Sequence, residues 1–160
     1  MIGIHITELK DFMGKLLKSD CFHSFLLEEA GITTAATYHI DGRINHDFFS
    51  SEDEAINFTT QYEFMPWEQI QPFCFELIKG KRTPLAFKFV LHFMPEHLNT
   101  ILEEQLQVKA AVLTIKYDST GMLLTTGISY QTFVFDKTAD KLWDSYILRF
   151  LEEKGISYSL

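Results

Sequence analysis

Alternating large apolar and smaller or polar residues between Leu85 and Phe93 form the clearest pattern in this chain. Every second position carries a large apolar side chain: Leu85, Phe87, Phe89, Leu91 and Phe93. A period of two predicts a β-strand with one buried face. Because so much apolar surface on one face needs a core above it, we expect an interior strand of a sheet.

The segment before this strand has helical spacing. Its apolar positions are Phe73, Cys74, Leu77 and Ile78. Gly80 suits the position that ends a helix, and Pro66 suits a first helical turn. Pro72 would clash with the carbonyl of Glu68 in an unbroken helix. The pattern therefore predicts a kink, or two short helices that meet near Gln71.

The first part of the chain predicts a strand followed by a helix. Ile2, Ile4 and Ile6 alternate, and Thr7 then suits a helix cap. The helix is indicated by an apolar stripe at i, i+3 and i+4 spacing: Leu9, Phe12, Met13, Leu16 and Leu17. Its polar face includes three lysines and is interpreted as solvated surface: Lys10, Lys15 and Lys18.

The next segments favour strands joined by turns. The run from Phe22 to Glu29 is short enough to be strand or helix, and the Thr- and Ile-rich run after Gly31 favours strand with a turn at the glycine. Asp41-Gly42 is typical of a two-residue hairpin, from which residues 44–49 would return. A further strand is predicted near residues 56–64.

The second half of the chain predicts a helix, a hairpin and a long final helix. Pro95 begins a helix whose apolar face would carry Leu98, Ile101, Leu102 and Leu106. A hairpin turns at residues 118–121, with Gly127 as a candidate bulge. Asp136 then suits the cap of a helix that ends at Gly155.

These elements predict an α+β fold for residues 1–160 as a single domain. The sheet would be largely antiparallel and built from two strand-helix-strands units, packed against helices that include a long C-terminal one. The element order is similar to the half-domains of sliding clamps. Clamps need basic helices that face DNA, and the acidic helix predicted after Pro95 departs from that requirement.

One turn of the chain is unusually basic. Lys79, Lys81, Arg82 and Lys88 are four of the chain's 14 basic residues, within a ten-residue window that contains no acid. Helix termination alone explains Lys79 and Gly80, because cations complement a helix C-terminus. The remaining cations also suit contact with a phosphate or carboxylate partner. Both interpretations stay open on sequence grounds.

The overall charge limits the kinds of partner. A net charge of −8 and a pI near 5.2 argue against a general nucleic-acid or anionic-membrane binder, so only a focused basic site would contact such a partner. Cys21 and Cys74 have no metal-site spacing and are expected to be reduced thiols. No signal-peptide pattern is present at residues 1–11, which favours a cytoplasmic protein.

The best enzyme-like group lies on the predicted Asp41-Gly42 hairpin. If residues 41 and 42 are the turn, His39 and His46 become diagonal neighbours roughly 7–8 Å apart at the backbone. Such a pair could bind one metal ion if a carboxylate from elsewhere in the chain completed the site. Asp47 does not supply it, because Asp47 points to the opposite face whenever His46 points inward. We therefore predict no bound metal, with a small metal-dependent hydrolase using His39 and His46 as the alternative.

Several runs resemble an uncharacterised family of small proteins from anaerobic Gram-positive bacteria. The likeness covers the whole chain and is carried by Pro72–Phe75, Leu77–Leu85 with Phe87–Lys88, Lys10–Met13, Ile40–Arg43 with Asp47–Phe49, and Thr125–Gly127 with Thr132–Phe133. The resemblance implies a cytoplasmic protein and no particular activity, substrate or catalytic residue.

The sequence therefore favours a non-enzymatic binding module without a cofactor. No nucleophile-base pair or complete ligand set is written in it. The partner-binding candidates are Lys79, Lys81, Arg82 and Lys88, and the partner would be an acidic protein surface or a nucleic-acid backbone. A clamp-like DNA-associated protein is a further alternative. No membrane contact is expected, and the pattern is compatible with a homo-oligomer.

Overall fold

The computed structural model describes residues 1–52, 61–102 and 107–160. The strands in these ranges are β1 Gly3–Ile6, β2 Phe25–Thr33, β3 Thr37–Asp41, β4 Met65–Pro66, β5 Ala86–Phe93, β6 Val108–Asp118, β7 Gly121–Tyr130 and β8 Tyr158–Ser159. The α-helices are α1 Leu9–Lys18, α2 Trp67–Ile78, α3 Pro95–Leu98 and α4 Thr138–Glu153, and His46–Phe48 form a 3₁₀ turn.

The described strands form one sheet in which all neighbours are antiparallel. The strand order is β3-β2-β5-β6-β7-β1-β8, and β4 pairs with β2 beside it. A strand, a helix and further strands follow one another twice along the chain, as β1-α1-β2-β3 and as β4-α2-β5-β6-β7 with α3 inserted. The predicted α+β class, with a long C-terminal helix, is confirmed.

One face of the sheet packs against α1, α2 and α4 and contains the core. Phe12 of α1, Trp67 of α2 and Trp143 of α4 are fully buried with the inward side chains of β5. The other face, called the open face here, carries charged side chains that include Glu29, Lys88 and Lys116. A sheet covered on one side produces the alternation of apolar and polar residues seen in its strands.

The predicted interior strand is confirmed with one correction. Phe87, Phe89, Leu91 and Phe93 are buried on the helical side of β5, which lies between β2 and β6. Leu85 is 71% exposed, so its predicted burial is wrong. It precedes the strand, and its amide donates to the carbonyl of Thr33 (2.9 Å) at the end of the sheet, beyond the cover of the helices.

Of the kink and the two short helices predicted near Gln71, the two short helices are wrong, because α2 is one helix with Pro72 inside it. Pro72 is exposed and removes a single backbone hydrogen bond. Trp67 and Gln71 on one side of the proline and Cys74 on the other are buried. Packing on both sides of Pro72 therefore holds the helix together against the local cost.

The predicted Asp41-Gly42 hairpin is also wrong. β2 runs through Gly31, and β3 pairs back onto it through Thr37. The amide of Gly42 donates to the carbonyl of Glu28 (2.8 Å), and a Cβ on Gly42 would lie 1.8 Å from the carbonyl oxygen of Leu27. Glycine is thus needed for close approach to an irregularity in β2, and not for a turn.

Other differences concern local boundaries. The helix from Pro95 ends at Leu98, with hydrogen-bonded turns continuing to Leu102, and the rest of its predicted span includes residues 103–106, outside the described residues. The predicted strand at residues 56–64 lies mostly outside them as well. Gly127 is in regular register, and the irregularity lies between Val108 and Ala110. Gly155, with φ of 68°, follows α4 as predicted.

Candidate binding groove

Hydrogen bonds from α2 fix the position of α1. The indole of Trp67 donates to the backbone carbonyl of Leu16 (3.1 Å), and the side-chain amide of Gln71 donates to the backbone carbonyls of Leu16 (2.8 Å) and Ser19 (2.8 Å). Carbonyls in the last turn of a helix lack intrahelical partners, and these buried donors satisfy them. The two helices are therefore held side by side.

The chain leaves α2 through a tight turn over residues 79–84. The amide of Lys79 donates to the carbonyl of Phe75 (2.8 Å), and Gly80 has φ of 138°, which favours glycine. Pro84 is buried at the far end of the turn. Lys81, Arg82 and Thr83 are consequently presented on the exposed part of this turn.

A groove of about 940 Å³ lies between α1 and the turn; we call it the basic groove. Its cations are Lys10, Lys18, Lys79, Lys81 and Arg82. Apolar side chains also line it, among them Met13, Leu17, Phe75, Ile78, Phe87 and Met122. No aspartate or glutamate of the described residues lines it. The groove is thus apolar with a rim of a single sign of charge.

Few of these cations are neutralised by neighbours. Lys79 pairs with Glu76 (2.7 Å). The ammonium of Lys18 lies 5.2 Å from the ring centre of Phe75, and that of Lys79 lies 6.0 Å from it. Within the described ranges, no ion pair involves the other rim cations: Lys10, Lys81 and Arg82. Their positive charge is therefore not compensated by an ion pair among the described residues.

The structure separates Lys88 from the other predicted site residues. Its neighbours Phe87 and Phe89 point into the core, so Lys88 points to the open face. There it forms an ion pair with Glu29 (3.5 Å). The sequence grouping therefore divides into Lys79, Lys81 and Arg82 at the basic groove and Lys88 on the far side of the sheet.

Two groove residues on α1 were interpreted as ordinary solvated surface in the sequence. Lys10 and Lys18 lie two helical turns apart and line the groove together with Gly14 between them. A Cβ on Gly14 would meet nothing within 4 Å. Glycine inside a helix costs about 0.5–1 kcal/mol relative to alanine, so a glycine midway between two lysines is unexpected on an ordinary solvated helix face. This spacing was the signal in the sequence that could have indicated Lys10 and Lys18 as groove residues.

A second groove of about 940 Å³ lies on the open face; we call it the open-face groove. It mixes acids with cations, including Glu28, Glu29, Arg43 and Lys88. Arg43 pairs with Glu63 (3.1 Å) and Lys88 with Glu29. Charge in this groove is therefore largely compensated within the protein.

The histidine pair of the predicted metal hairpin is not arranged as predicted. His39 lies on β3 and lines the open-face groove with Asp41, whose carboxylate accepts the amide of Arg43 (3.0 Å). His46 and Asp47 belong to the 3₁₀ turn. Among the residues that the structure describes, no group of three or more His, Cys, Asp or Glu side chains is placed to hold a metal ion.

The two cysteines differ in burial and are both free thiols. Burial raises the pKa of the Cys74 thiol to about 12. Cys74 is therefore protonated at neutral pH and behaves as an apolar core residue on the buried side of α2.

None of the described helices combines the length and apolar character needed to cross a membrane.

Comparison with known proteins identifies the family of this chain. No curated protein and no solved structure matches the chain. Residues 15–159 match a family of unknown function (DUF5721). That range includes α2 and the turn of the basic groove, and it begins within α1. The chain therefore belongs to this family of unknown function.

Proposed function

We propose that the chain is a non-enzymatic binding module that holds an acidic or phosphate-bearing partner in the basic groove. The observation that carries the proposal is the sign of the charge. Five cations and no described acid line one groove in a chain of net charge −8. Chance placement of surface charge would mix both signs, as the open-face groove does.

The positions of the cations support contact with an external anion over a purely structural role. Helix termination accounts for Lys79, which lies just beyond α2. It accounts in the same way for Lys18 at the end of α1, but not for Lys10 in the first turn of that helix, nor for Arg82 at the exposed turn. Like charges that share a groove repel one another, and their proximity costs free energy that a bound anion removes.

The other candidate functions have less support. A hydrolase using His39 and His46 needs both side chains at one site, and they lie on β3 and on the 3₁₀ turn. A clamp-like DNA-associated role rests on element order, which says little about function. Neither has an observation comparable with the single-sign rim of the basic groove.

The experiment measures binding of defined anions by fluorescence anisotropy. The probes are a fluorescein-labelled oligoglutamate and a labelled single-stranded DNA of similar length, at about 10 mM ionic strength, where screening extends over roughly 30 Å. We expect at least one probe to bind saturably. We expect the double variant Lys81→Glu/Arg82→Glu to weaken that binding at least about tenfold.

A matched control separates the groove from overall charge. Lys141→Glu/Arg149→Glu makes the same change in net charge at two positions of α4 that do not line the groove. We expect this control to bind within about twofold of the unchanged protein. Absence of saturable binding by both probes, or equal losses in the two double variants, would overturn the proposal.

A further inference from the structure

We infer that the partner of the basic groove is an acidic amphipathic helix of another protein, docked with apolar side chains inward and carboxylates towards the cationic rim. This inference rests on the proposed function and names the partner class for the same site. Helix-in-groove docking uses apolar anchors at three- and four-residue spacing, and specificity comes from flanking charges.

The apolar lining of the groove is the first argument. Leu9 is 38% exposed, and Met13, Phe75 and Ile78 are half-buried although all four are apolar. Free phosphate would leave this surface uncovered. An amphipathic partner would cover it, and the burial of apolar area would add to the attraction of the charges.

The spacing of the rim is the second argument. Lys10 and Lys18 are eight positions apart on α1, which corresponds to about 12 Å along a helix axis. Carboxylates seven or eight residues apart on a partner helix lie at nearly the same distance. Lys81 and Arg82 stand on the opposite wall of the groove, so both flanks of such a helix meet cations.

Open space at Gly14 is the third argument. The groove side of α1 has no side chain at this position, midway between Lys10 and Lys18, and beyond the adjoining residues and backbone of α1 itself no atom of the described residues lies within 4 Å of the point where a Cβ would lie. Internal packing therefore does not require glycine here. A partner helix that approaches α1 closely at its midpoint does, because small residues let two helices come together.

The aromatic rings of the groove argue against single-stranded nucleic acid. Proteins that bind such strands stack bases on free aromatic faces. The ring of Phe75 has two ammonium groups against it, at 5.2 and 6.0 Å. Tyr117 is stacked on Phe87 with 5.0 Å between ring centres and 22° between planes. Each of these rings therefore already has a partner within the protein.

The test compares four labelled probes by anisotropy on the full chain. The first is a peptide of roughly 16 residues with leucines at helical spacing and glutamates on both flanks of that stripe. The others are the same peptide with glutamine for every glutamate, a scrambled peptide of identical composition, and single-stranded DNA. We expect the first probe to bind at least about fivefold more tightly than each of the others, since apolar anchors carry much of the energy of such interfaces.

A floor variant tests the apolar contact separately from charge. Met13→Gln keeps α1 and the cationic rim but replaces one apolar side chain of the groove lining with a polar one. We expect about five- to tenfold weaker binding of the amphipathic peptide, with little change for oligoglutamate. Leu148→Gln on α4 is the control, because Leu148 is also a partly buried side chain packed against the core. We expect no loss of binding in this control.

The outcomes distinguish the inference from the proposed function. Equal affinity for the amphipathic and scrambled peptides, or tighter binding of DNA, would overturn the inference while groove-dependent anion binding remained. Unchanged peptide affinity in the Met13→Gln variant would overturn it as well. Failure of every anionic probe to bind would overturn the proposed function itself.

Discussion

The basic groove and the open-face groove have the same volume, about 940 Å³ each, and different electrostatic character. The first is lined by cations alone among its described charged residues. The second mixes both signs and joins Lys88 to Glu29 and Arg43 to Glu63. Size therefore does not distinguish the proposed binding site from the open-face groove in this protein, and uncompensated charge does.

The same comparison explains why neighbours in sequence differ in role. Lys81 and Lys88 are seven residues apart, yet one lies before β5 and the other within it. Alternation along β5 sends Lys88 to the face away from the helices. Lys88 pairs with Glu29 there, whereas Lys81 has no ion-pair partner among the described residues. Topology, more than composition, decides which lysine remains available.

The largest expected effect concerns the strand that separates the two grooves. Phe89→Ala removes a fully buried ring that lies 5.4 Å from the ring of Trp67. We expect the free energy of unfolding to fall by about 3–5 kcal/mol. Urea denaturation checks this value, with Leu85→Ala as the exposed control. A loss under about 1 kcal/mol for Phe89→Ala would show that the two faces of the strand are wrongly assigned.

Single charge reversals sharpen the comparison directly. We expect Lys81→Glu to weaken binding of the amphipathic acidic peptide by about 1 kcal/mol, because an attraction becomes a repulsion at the rim. Lys88→Glu should leave that binding unchanged, since Lys88 faces the other groove. Titrations of both variants under one set of conditions provide the measurement. Equal losses would mean that only net charge matters.

Gly14→Ala tests whether the open space on α1 serves a partner. We expect the free energy of unfolding to rise by about 0.5–1 kcal/mol, because alanine favours helix and its Cβ meets no atom within 4 Å. The same variant should bind the peptide more weakly. Calorimetric melting and anisotropy give the two readouts. Stabilisation without loss of binding would remove the close-approach argument.

The smallest expected effect is a difference in pH response between the stability of the protein, which depends on His92, and peptide binding in the basic groove. Burial lowers the pKa of His92, and the neighbouring Glu28 opposes this in part. In the unfolded chain the pKa of this histidine returns to its ordinary value of 6.5, so the unfolded state takes up a proton more readily. Stability should therefore decline as pH falls from about 6.5 towards the lowered pKa of the folded state.

The measurement compares urea unfolding on both sides of that pH range. The decline should be reduced in His92→Gln, whose side chain does not titrate. Peptide binding in the basic groove should stay level over the same range, because Lys and Arg remain charged. A pH-independent stability, or an equal decline in the variant, would contradict the assignment to His92.

The sequence predicted the sheet and helices wherever periodicity was long and buried. β5, the hairpin of β6 with β7, and α4 follow directly from their patterns. It failed where one residue served a tertiary contact: Gly42 was interpreted as a turn residue, and it instead lies against the backbone of Leu27. Local rules contain no information on such an approach.

The candidate site was half visible in the sequence. Residues 79–82 are adjacent in the chain, so their shared charge was evident. Lys10 and Lys18 join them only because buried hydrogen bonds from Trp67 and Gln71 place α1 beside α2. That placement depends on contacts between residues far apart in the chain, which periodicity does not encode.

Mapping the peptide contact by nuclear magnetic resonance tests the central claim most directly. The amphipathic acidic peptide is titrated into ¹⁵N-labelled protein, and backbone amide shifts are followed across both grooves. We predict that the shifts concentrate in residues 9–18 of α1 and in the turn at residues 79–84, and leave the open-face residues 29–31 and 39–41 unchanged. Shifts centred on the open face, or none at saturating peptide, would contradict the account.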